Sequence, residues 1–334
     1  MNILIYGAGS IGSHLAYCLD NKLNNIAIIT KKKYLRNLKK KGINIKIFSN
    51  ENFKKKIIIK ANENIRFYSN INNLRKNFKK NIDAIFITLK LKDYSTKMEK
   101  KIFSLSNKNT SIIPPCTYLS RWWFYSLFKK KYFTNIINRE FPQYSFFKKY
   151  KKNIVGMTMW LSAKDVRPGF IEVKHIQRGY PIKQFTKNQS KNTSSLRKAI
   201  RRKCMSPITN NIFSELYIKS INSFAFNLIA LKTEFNNREL LNDKNSIRSI
   251  RKIFEEFDRI IISLGLPILQ SITSRINQTL MSTSHTLSML HDYKRNKKVE
   301  LSYLWNTLKL LSRLTNKDIK YTKKIYNEVL KKIK

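Results

Sequence analysis

The chain has 334 residues, 42% of them hydrophobic, which is enough for two domains with a substantial buried core. Its formal charge is +47, yet lysines are spread along the whole chain and accompany no nucleic-acid-binding motif, so we expect no specific nucleic-acid partner. No apolar run approaches the length of a membrane-spanning helix, which argues against a membrane protein.

The first thirty residues predict a nucleotide-binding βαβ unit. An apolar, β-prone run at 3–6 leads directly into GAGSIG, a complete G-x-G-x-x-G, and an apolar helix and a second apolar run at 26–29 follow. This order of strand, turn, helix and strand is the context that the dinucleotide fingerprint requires. The predicted cofactor contacts are Gly7, Ala8, Gly9, Ser10, Ile11 and Gly12.

Each glycine of this turn has a separate predicted task. Gly7 permits the tight turn out of the strand, Gly9 lets a pyrophosphate approach the backbone, and Gly12 lets the helix pack closely on the sheet. The N-terminus of the helix adds free N–H groups and the positive end of the helix dipole.

The end of the second strand predicts which dinucleotide binds. Units that prefer NAD place an Asp or Glu there to bond the ribose 2′-hydroxyl. This chain has Thr30, Lys31 and Lys32 and no acid at that position. A hydroxyl and cationic side chains attract a 2′-phosphate, which a carboxylate would repel. We therefore predict NADP(H), with Lys31 among its contacts.

The following segment alternates strand and helix patterns. A basic helical segment is predicted at 34–41, and strands are predicted at 43–47, 57–59, 65–67, 83–89, 111–113, 154–161 and 170–173, the last two joined by a turn at 167–169. Residues 184–196 lack periodicity, a helix is expected from about Ser195, and a short strand near Met205. Lys90 directly follows the strand at 83–89, where α/β proteins bind ligands.

From residue 211 onward, helical periodicity replaces strand patterns. Helices are predicted at 211–232, 247–263, 284–293 and 299–314, and from 318 to the C-terminus. The predicted fold class is α/β, with an N-terminal Rossmann-type dinucleotide-binding domain (1–210) and a C-terminal all-α domain (211–334). We expect the active site in the cleft between the two domains.

Five polar residues of the helical half are candidates for the chemistry. Lys219, Ser223 and Asn227 are spaced by four, so they share one helix face within an arc of roughly 80°. Ser288 and Glu300 lie further along the chain.

Taken together, these pieces resemble the ketopantoate reductase family (2-dehydropantoate 2-reductases). The matching pieces are GAGSIG at 7–12, TLK at 88–90, PGF at 168–170, the helix with Lys219 and Asn227, and SML-x-D at 288–292 running on to Glu300. They follow the order of the family over nearly the whole chain.

The resemblance implies a role for each candidate. Lys219 would be the catalytic proton donor to the alkoxide that forms as hydride reaches C2 of the keto acid. Ser288 would bind the substrate carboxylate, and Asn227 a substrate hydroxyl or carboxylate. Glu300 would lie near cofactor and substrate, and Lys90 on the nicotinamide side. Ser223, also a predicted substrate contact, stands where many members carry a second Asn.

One segment departs from the family pattern and leaves alternatives open. The family usually has Asn-Gly after the strand that here ends at Ile113, whereas this chain continues with PPCTY, which puts Cys116 or Thr117 in the place of that Asn. The leading hypothesis is reduction of ketopantoate to pantoate. The alternatives are NADP-dependent reduction of another 2-keto or β-keto acid, and a non-enzymatic basic Rossmann protein that binds nucleic acid.

The cysteines and histidines predict no bound metal. Cys18, Cys116 and Cys204 form no C-x-x-C pair, and the four histidines show no zinc-ligand spacing. An odd number of cysteines favours a reducing compartment, so we expect a cytoplasmic protein. The expected partner is a small 2-keto acid, and a homodimer stays open. Trp122 and Trp123 suit either a pocket wall or a core or interface position.

Overall fold

The structure is a computed structural model that describes residues 1–49, 52–90, 95–114, 119, 123–124, 127–128, 136, 150–185, 187, 190–280 and 286–333. The chain divides into two compact units. The first unit comprises Met1–Pro115 and Asn138–Ile212, and the second comprises Cys116–Ile137 and Phe213–Lys334.

The first unit is built from eleven described strands and five described helices. In chain order they are β1 (Asn2–Tyr6), α1 (Ser10–Leu19), β2 (Asn25–Ile29), α2 (Lys32–Lys41), β3 (Ile43–Ser49), β4 (Asn52–Ile59), β5 (Ile65–Tyr68), α3 (Ile71–Asn77), β6 (Ala84–Ile87), α4 (Thr96–Phe103), β7 (Ser111–Ile113), β8 (Val155–Met157), β9 (Trp160–Arg167), β10 (Phe170–Gly179), β11 (Ile182–Gln184) and α5 (Ser190–Arg201).

The first sheet has the topology of a Rossmann domain. Its order is β5-β2-β1-β6-β7, and all of its pairings are parallel. The central strands β1, β2 and β6 are almost wholly buried, which explains why their sequences are continuous apolar runs instead of alternating ones. The strand order reverses between β1 and β6, so their carboxyl ends mark the crevice where such sheets bind ligands.

A second sheet covers the other side of helix α1. Its order is β4-β3-β10-β9, with β3 and β10 parallel and the outer pairs antiparallel. Helix α1 contacts β1 and β2 of the first sheet and β9 and β10 of the second. Every residue from Gly12 to Leu19 is consequently buried. The central core of the unit includes α1 together with inner residues of both sheets.

Three predictions for this unit are wrong in detail. The predicted strand at 154–161 is two strands, β8 and β9, which belong to different sheets and are separated by Thr158 and Met159. Helix α5 begins at Ser190, inside the segment that was expected to be irregular. No strand forms near Met205, although its carbonyl accepts a hydrogen bond from the N–H of Tyr180 (2.9 Å).

In its described part the second unit is helical. In chain order its helices are α6 (Ile212–Thr233, whose first residue belongs to the first unit), α7 (Asn237–Asn242), α8 (Lys244–Ser263), α9 (Ile272–Leu280), α10 (Ser288–Tyr293), α11 (Leu301–Thr315) and α12 (Lys320–Ile333). The predicted fold class, an α/β N-terminal region followed by a helical C-terminal region, is confirmed.

Helix α6 is the central helix of this unit. Nearly all of its residues from Ser214 to Leu231 are buried, among them Phe224, Phe226 and Leu228. Helix α8, by contrast, buries one face, and it ends beside Gly265 as predicted. Helices α7 and α9 were not predicted, because each is a short polar segment with little apolar periodicity. Among the described residues, no helix combines the length and the apolar character needed to span a membrane.

Candidate functional site

The glycine turn begins where β1 ends. Gly7 has a φ of +118°, a conformation that residues with a side chain rarely adopt. Its N–H donates to the carbonyl of Ile29 (3.0 Å), and its own carbonyl accepts a hydrogen bond from Thr88 Oγ1 (2.8 Å). These bonds fix the turn to the ends of β2 and β6, the two neighbours of β1.

Gly12 brings helix α1 against this turn. A Cβ atom at residue 12 would lie 1.9 Å from the carbonyl oxygen of Gly7 and 2.5 Å from Thr88 Oγ1. No side chain fits at that distance, so the predicted close packing of helix on sheet is present.

Gly9 precedes the first turn of α1 and leaves its backbone accessible. It is the N-cap residue and supplies no side-chain hydrogen bond. Since the first N–H groups of any helix lack intrahelical partners, those of α1 are available to an anion at this point. The nearest atom to a Cβ built on Gly9 is Asp165 Oδ2, at 3.7 Å. This carboxylate has no signal in the sequence, because β9 reaches the turn only through the second sheet.

The residues predicted to select NADP(H) follow β2. Thr30 is buried, and its N–H donates to the carbonyl of Tyr68 (2.9 Å) on the adjacent strand β5. Lys31 is exposed at the N-cap of α2, and Lys32 and Lys33 begin that helix. The backbone therefore holds one hydroxyl and three cationic residues at the carboxyl end of β2.

Lys90 lies three residues beyond the end of β6 and is exposed. Because β6 is the neighbour of β1 at the point where the strand order reverses, Lys90 follows the strand end that ligands of this fold approach. Its position agrees with the sequence analysis, and its contact with a cofactor stays a prediction.

Lys219 lies on α6 together with Ser223 and Asn227. Helical geometry puts the three on one face, as predicted. Lys219 and Ser223 are partly exposed, whereas Asn227 is buried. Desolvation by the surrounding protein lowers the pKa of Lys219 from its usual value of 10.5 to about 8. Removing an ammonium group from water disfavours its charged form, which makes this lysine a stronger acid than a free one.

The amide of Asn227 joins α6 to α10. Its Oδ1 accepts a hydrogen bond from the N–H of Met289 (3.0 Å), and its Nδ2 donates to the carbonyl of Ser223 (2.7 Å). Asn227 thus caps the first turn of the helix that carries Ser288. The predicted role of Asn227 was a substrate contact, and its contact between the two helices was not predicted. The spacing of four residues between Ser223 and Asn227 was compatible with the bond from the Asn227 amide to the Ser223 carbonyl, whereas the bond to Met289 had no signal in the sequence.

Ser288 and Glu300 each stand at the beginning of a helix. Ser288 is the first residue of α10 and is exposed. Glu300 is the N-cap residue of α11, partly exposed, with its side chain making no capping bond.

The structure also reveals buried polar residues on α6 that sequence analysis did not single out. Glu215 is 2% exposed and lies one helical turn before Lys219. The amide of Asn222 is buried and has no hydrogen-bond partner among the described residues. Both lie within four residues of Lys219, and only burial, which the sequence does not reveal, distinguishes them from ordinary helix residues.

The segment that departs from the family pattern is only partly described. Cys116, Thr117 and Trp122 lie outside the described residues. Trp123 is fully buried in the second unit, where its Nε1 donates to the carbonyl of Phe213 (3.1 Å) and its ring stacks on Tyr217 with centroids 6.3 Å apart. Of the two interpretations of this tryptophan, the core position is the observed one.

Several solved structures share this fold. D-mandelate dehydrogenase, solved with NADH and anilino(oxo)acetate, superposes with a TM-score of 0.73 and 16% sequence identity over 100% of this chain and 98% of that chain. The 2-dehydropantoate 2-reductase of Methylococcus capsulatus gives a TM-score of 0.72 and 15% identity over 98% and 95%. That of Geobacter metallireducens GS-15 gives a TM-score of 0.73 and 14% identity over 100% of both chains. No curated protein matches in sequence.

Two family models match the chain in sequence. The ketopantoate reductase PanE/ApbA model matches residues 3–114, which hold the glycine turn and Lys90. The model of the C-terminal part of ketopantoate reductase PanE/ApbA matches residues 211–332, which hold Lys219, Asn227 and Glu300. The two matches together span well over half of the sequence. The chain therefore belongs to the ketopantoate reductase family.

Proposed function

We propose that this protein reduces ketopantoate (2-dehydropantoate) to pantoate with NADPH, as a step of pantothenate and coenzyme A synthesis. The observation that carries the proposal is Lys219. It combines a pKa of about 8 with a place on the face of α6 shared by Ser223 and Asn227, in a chain of the ketopantoate reductase family.

The glycine turn suits the pyrophosphate of a dinucleotide. Gly9 leaves the backbone open, and the N–H groups of residues 8–12 would bind the phosphate oxygens with support from the dipole of α1. Thr30 and Lys31 support NADPH over NADH, because a hydroxyl and an ammonium group bind a 2′-phosphate. Lys90 would contact the nicotinamide side of the cofactor.

NADPH, when bound, supplies a hydride to C2 of the keto acid, and the protein has to supply a proton to the carbonyl oxygen. Lys219 would donate that proton from its ammonium group. An acid with a pKa of about 8 is still mostly protonated at pH 7, yet it gives up its proton more readily than a free lysine does. Proton transfer by a positioned side chain accelerates such reactions by about 10²–10⁴-fold.

The remaining candidates would orient the reactants. The hydroxyl of Ser288 would bind the substrate carboxylate, and Ser223 would supply a second hydroxyl contact. Asn227 has one amide hydrogen left after its bond to Ser223, and it would donate this hydrogen to a substrate oxygen. Glu300 would contact the cofactor and hold the Lys219 ammonium in place.

A second candidate function is the NADP-dependent reduction of a different 2-keto or β-keto acid. Two observations favour it: the family Asn-Gly is absent at 116–117, and the fold is as similar to D-mandelate dehydrogenase as to the ketopantoate reductases. Since replacing one hydrogen-bonding side chain in a substrate pocket can change the discrimination between substrates by orders of magnitude, related keto acids are realistic competitors.

The test is NADPH oxidation by the purified chain, followed by absorbance, with ketopantoate and a panel of aliphatic and aromatic 2-keto acids. We expect ketopantoate to give the highest kcat/KM. If another keto acid gives a higher kcat/KM, that acid is the substrate and the second candidate function is correct. If no keto acid increases NADPH oxidation, the reductase proposal is refuted.

The role of Lys219 is tested separately with a matched pair of lysines on the same helix. Lys219→Ala should lower kcat by at least about 10²-fold while NADPH still binds. Lys232→Ala is the control, because Lys232 lies on α6 but pairs with Glu328 (2.7 Å) in a half-exposed ion pair. Normal turnover in the Lys219 variant would contradict its role as proton donor, while the proposal that the protein is a keto-acid reductase would still stand.

A further inference from the structure

Three metal-ligating side chains meet inside the first unit although they are far apart in sequence. His14 and Cys18 lie one turn apart on α1, and Cys204 follows α5, to which the N–H of Cys204 is bonded through the carbonyl of Ile200 (2.9 Å). Their exposures are 0%, 1% and 8%. Their ligand atoms all lie within 4.8 Å of one another.

We propose that His14, Cys18 and Cys204 bind a zinc ion. A tetrahedral zinc site has Zn–S distances of about 2.3 Å and Zn–N distances of about 2.0–2.1 Å, so its ligand atoms lie roughly 3.5–3.8 Å apart. Cys18 Sγ is already 3.8 Å from His14 Nε2. Small side-chain movements would therefore close the site around the ion.

The surroundings of His14 favour ligation through Nε2. Nδ1 lies 2.8 Å from the hydroxyl oxygen of Tyr180, which is fully buried. With a proton on Nδ1, the ring donates to Tyr180 and keeps the lone pair of Nε2 for a metal, the arrangement usual for zinc-bound histidines.

The charges of the site also suit zinc. Two thiolates would neutralise the ion completely, so the loaded site could stay buried without net charge. The Lys203 and Lys55 ammonium groups lie one layer further out, with Lys203 Nζ 4.9 Å from the Tyr17 ring centroid and Lys55 Nζ 3.0 Å from the Tyr17 hydroxyl. Burial and the neighbouring Cys204 raise the pKa of the Cys18 thiol well above its ordinary value, and these two cations only partly oppose that shift, so zinc itself would displace the proton on binding. A water molecule would complete the tetrahedron on the side of Cys204, the most exposed of the three ligands.

A zinc ion here would join α1, which begins at the glycine turn, to the segment after α5. The ion would therefore support the nucleotide-binding part of the chain without taking part in hydride transfer. Sequence spacing pointed to no metal site, because 185 residues separate Cys18 from Cys204 and the fold alone brings them together.

The test is the metal content of the full-length chain, purified without chelator, by elemental mass spectrometry. We expect one zinc per chain in the wild type, and loss of that zinc in His14→Gln, Cys18→Ser and Cys204→Ser. Cys116→Ser is the matched control, because Cys116 is the remaining cysteine, and it should retain the metal. Equal zinc in the wild type and in the three ligand variants would overturn the proposal, and so would wild-type protein with a Cys18–Cys204 disulfide and no metal.

A second measurement covers variants that fail to fold. Cobalt(II) added to the metal-free wild-type chain should produce an intense near-ultraviolet charge-transfer band from thiolate ligation, and one equivalent of zinc should abolish it. Absence of the band in the folded wild-type protein would overturn the proposal independently of any variant.

Discussion

Replacing Gly12 with alanine tests whether the glycine turn depends on the close approach of α1. The new Cβ would lie 1.9 Å from the Gly7 carbonyl oxygen, whereas ordinary contact begins near 3.4 Å. The helix would have to retreat by about 1.5 Å, since the obstacle is backbone that cannot rotate away. The bond from Thr88 Oγ1 to Gly7, 2.8 Å long, lies in the same contact and would be strained as well.

The magnitude follows from the cost of overpacking. Inserting a methyl group into a closely packed site costs about 1–3 kcal/mol, and a clash with backbone belongs at the upper end of that range. For a domain of the size of the first unit, a loss of about 3 kcal/mol corresponds to a decrease in Tm of about 6–12 °C. NADPH affinity should also fall by more than about tenfold, because the displaced helix N-terminus no longer meets the pyrophosphate.

The assay is thermal unfolding of the free protein combined with fluorescence titration of NADPH. Gly9→Ala is the control: its Cβ would meet nothing closer than Asp165 Oδ2 at 3.7 Å, and its φ of −78° suits alanine. This variant should retain stability to within about 1 kcal/mol and still lose NADPH affinity, because the methyl group occupies the path of the pyrophosphate. A Gly12→Ala protein that melts at the same temperature as the wild type would show that the turn does not depend on the close approach of α1.

Three further predictions concern the second unit. Arg275→Met should lower the free energy of unfolding, measured with denaturant, by about 3–5 kcal/mol, because it leaves the carboxylate of Asp258 without its buried partner. The double variant Arg275→Met, Asp258→Leu should recover most of that loss. Asn227→Ala should lower the free energy of unfolding by about 1–3 kcal/mol in the same assay, because the buried N–H of Met289 would lose its hydrogen-bond acceptor. Unchanged stability would contradict the helix-capping role. The kcat/KM for reduction should fall as pH rises through about 8, because Lys219 must be protonated to donate its proton. The rate of the reverse oxidation should rise over the same pH range, because that reaction needs the unprotonated amine. A flat pH–rate profile would exclude Lys219 as the titrating group.

Local signals in the sequence were sufficient for the first sheet. GAGSIG between two apolar runs predicted β1, the turn, α1 and β2, since each of these elements is specified by residues close to it in sequence. The long helix α6 was predicted to within one residue at each end, because its apolar positions continue for six turns.

Contacts between distant segments could not be predicted in the same way. The run at 154–161 is apolar apart from Thr158, a residue type that is common inside strands, so the run does not mark the point where the chain leaves β8 for β9 in another sheet. The cluster of His14 with Cys18 and Cys204 has no sequence signature either, and the carboxylate of Asp165 comes near Gly9 only because a hairpin of the second sheet lies there. For the candidate site, the helix that carries Lys219, Ser223 and Asn227 was predictable, whereas the burial and the shifted pKa of Lys219 required the fold.

The pairing of β3 with β10 determines when the protein can fold during its synthesis. Asn44 pairs with Phe170, and the hydrophobic face of α1 is completed only by β9, β10 and α5. A nascent chain that has emerged as far as residue 114 would thus carry the whole glycine fingerprint, with the face of its helix toward β9, β10 and α5 uncovered. At roughly 5–20 residues per second, the residues up to about 170 take roughly 3–11 seconds to translate, and during this interval the exposed apolar face of the helix is a target for chaperones. Ribosome-bound fragments should acquire protease resistance and dinucleotide affinity only after the strands near residue 170 have left the exit tunnel.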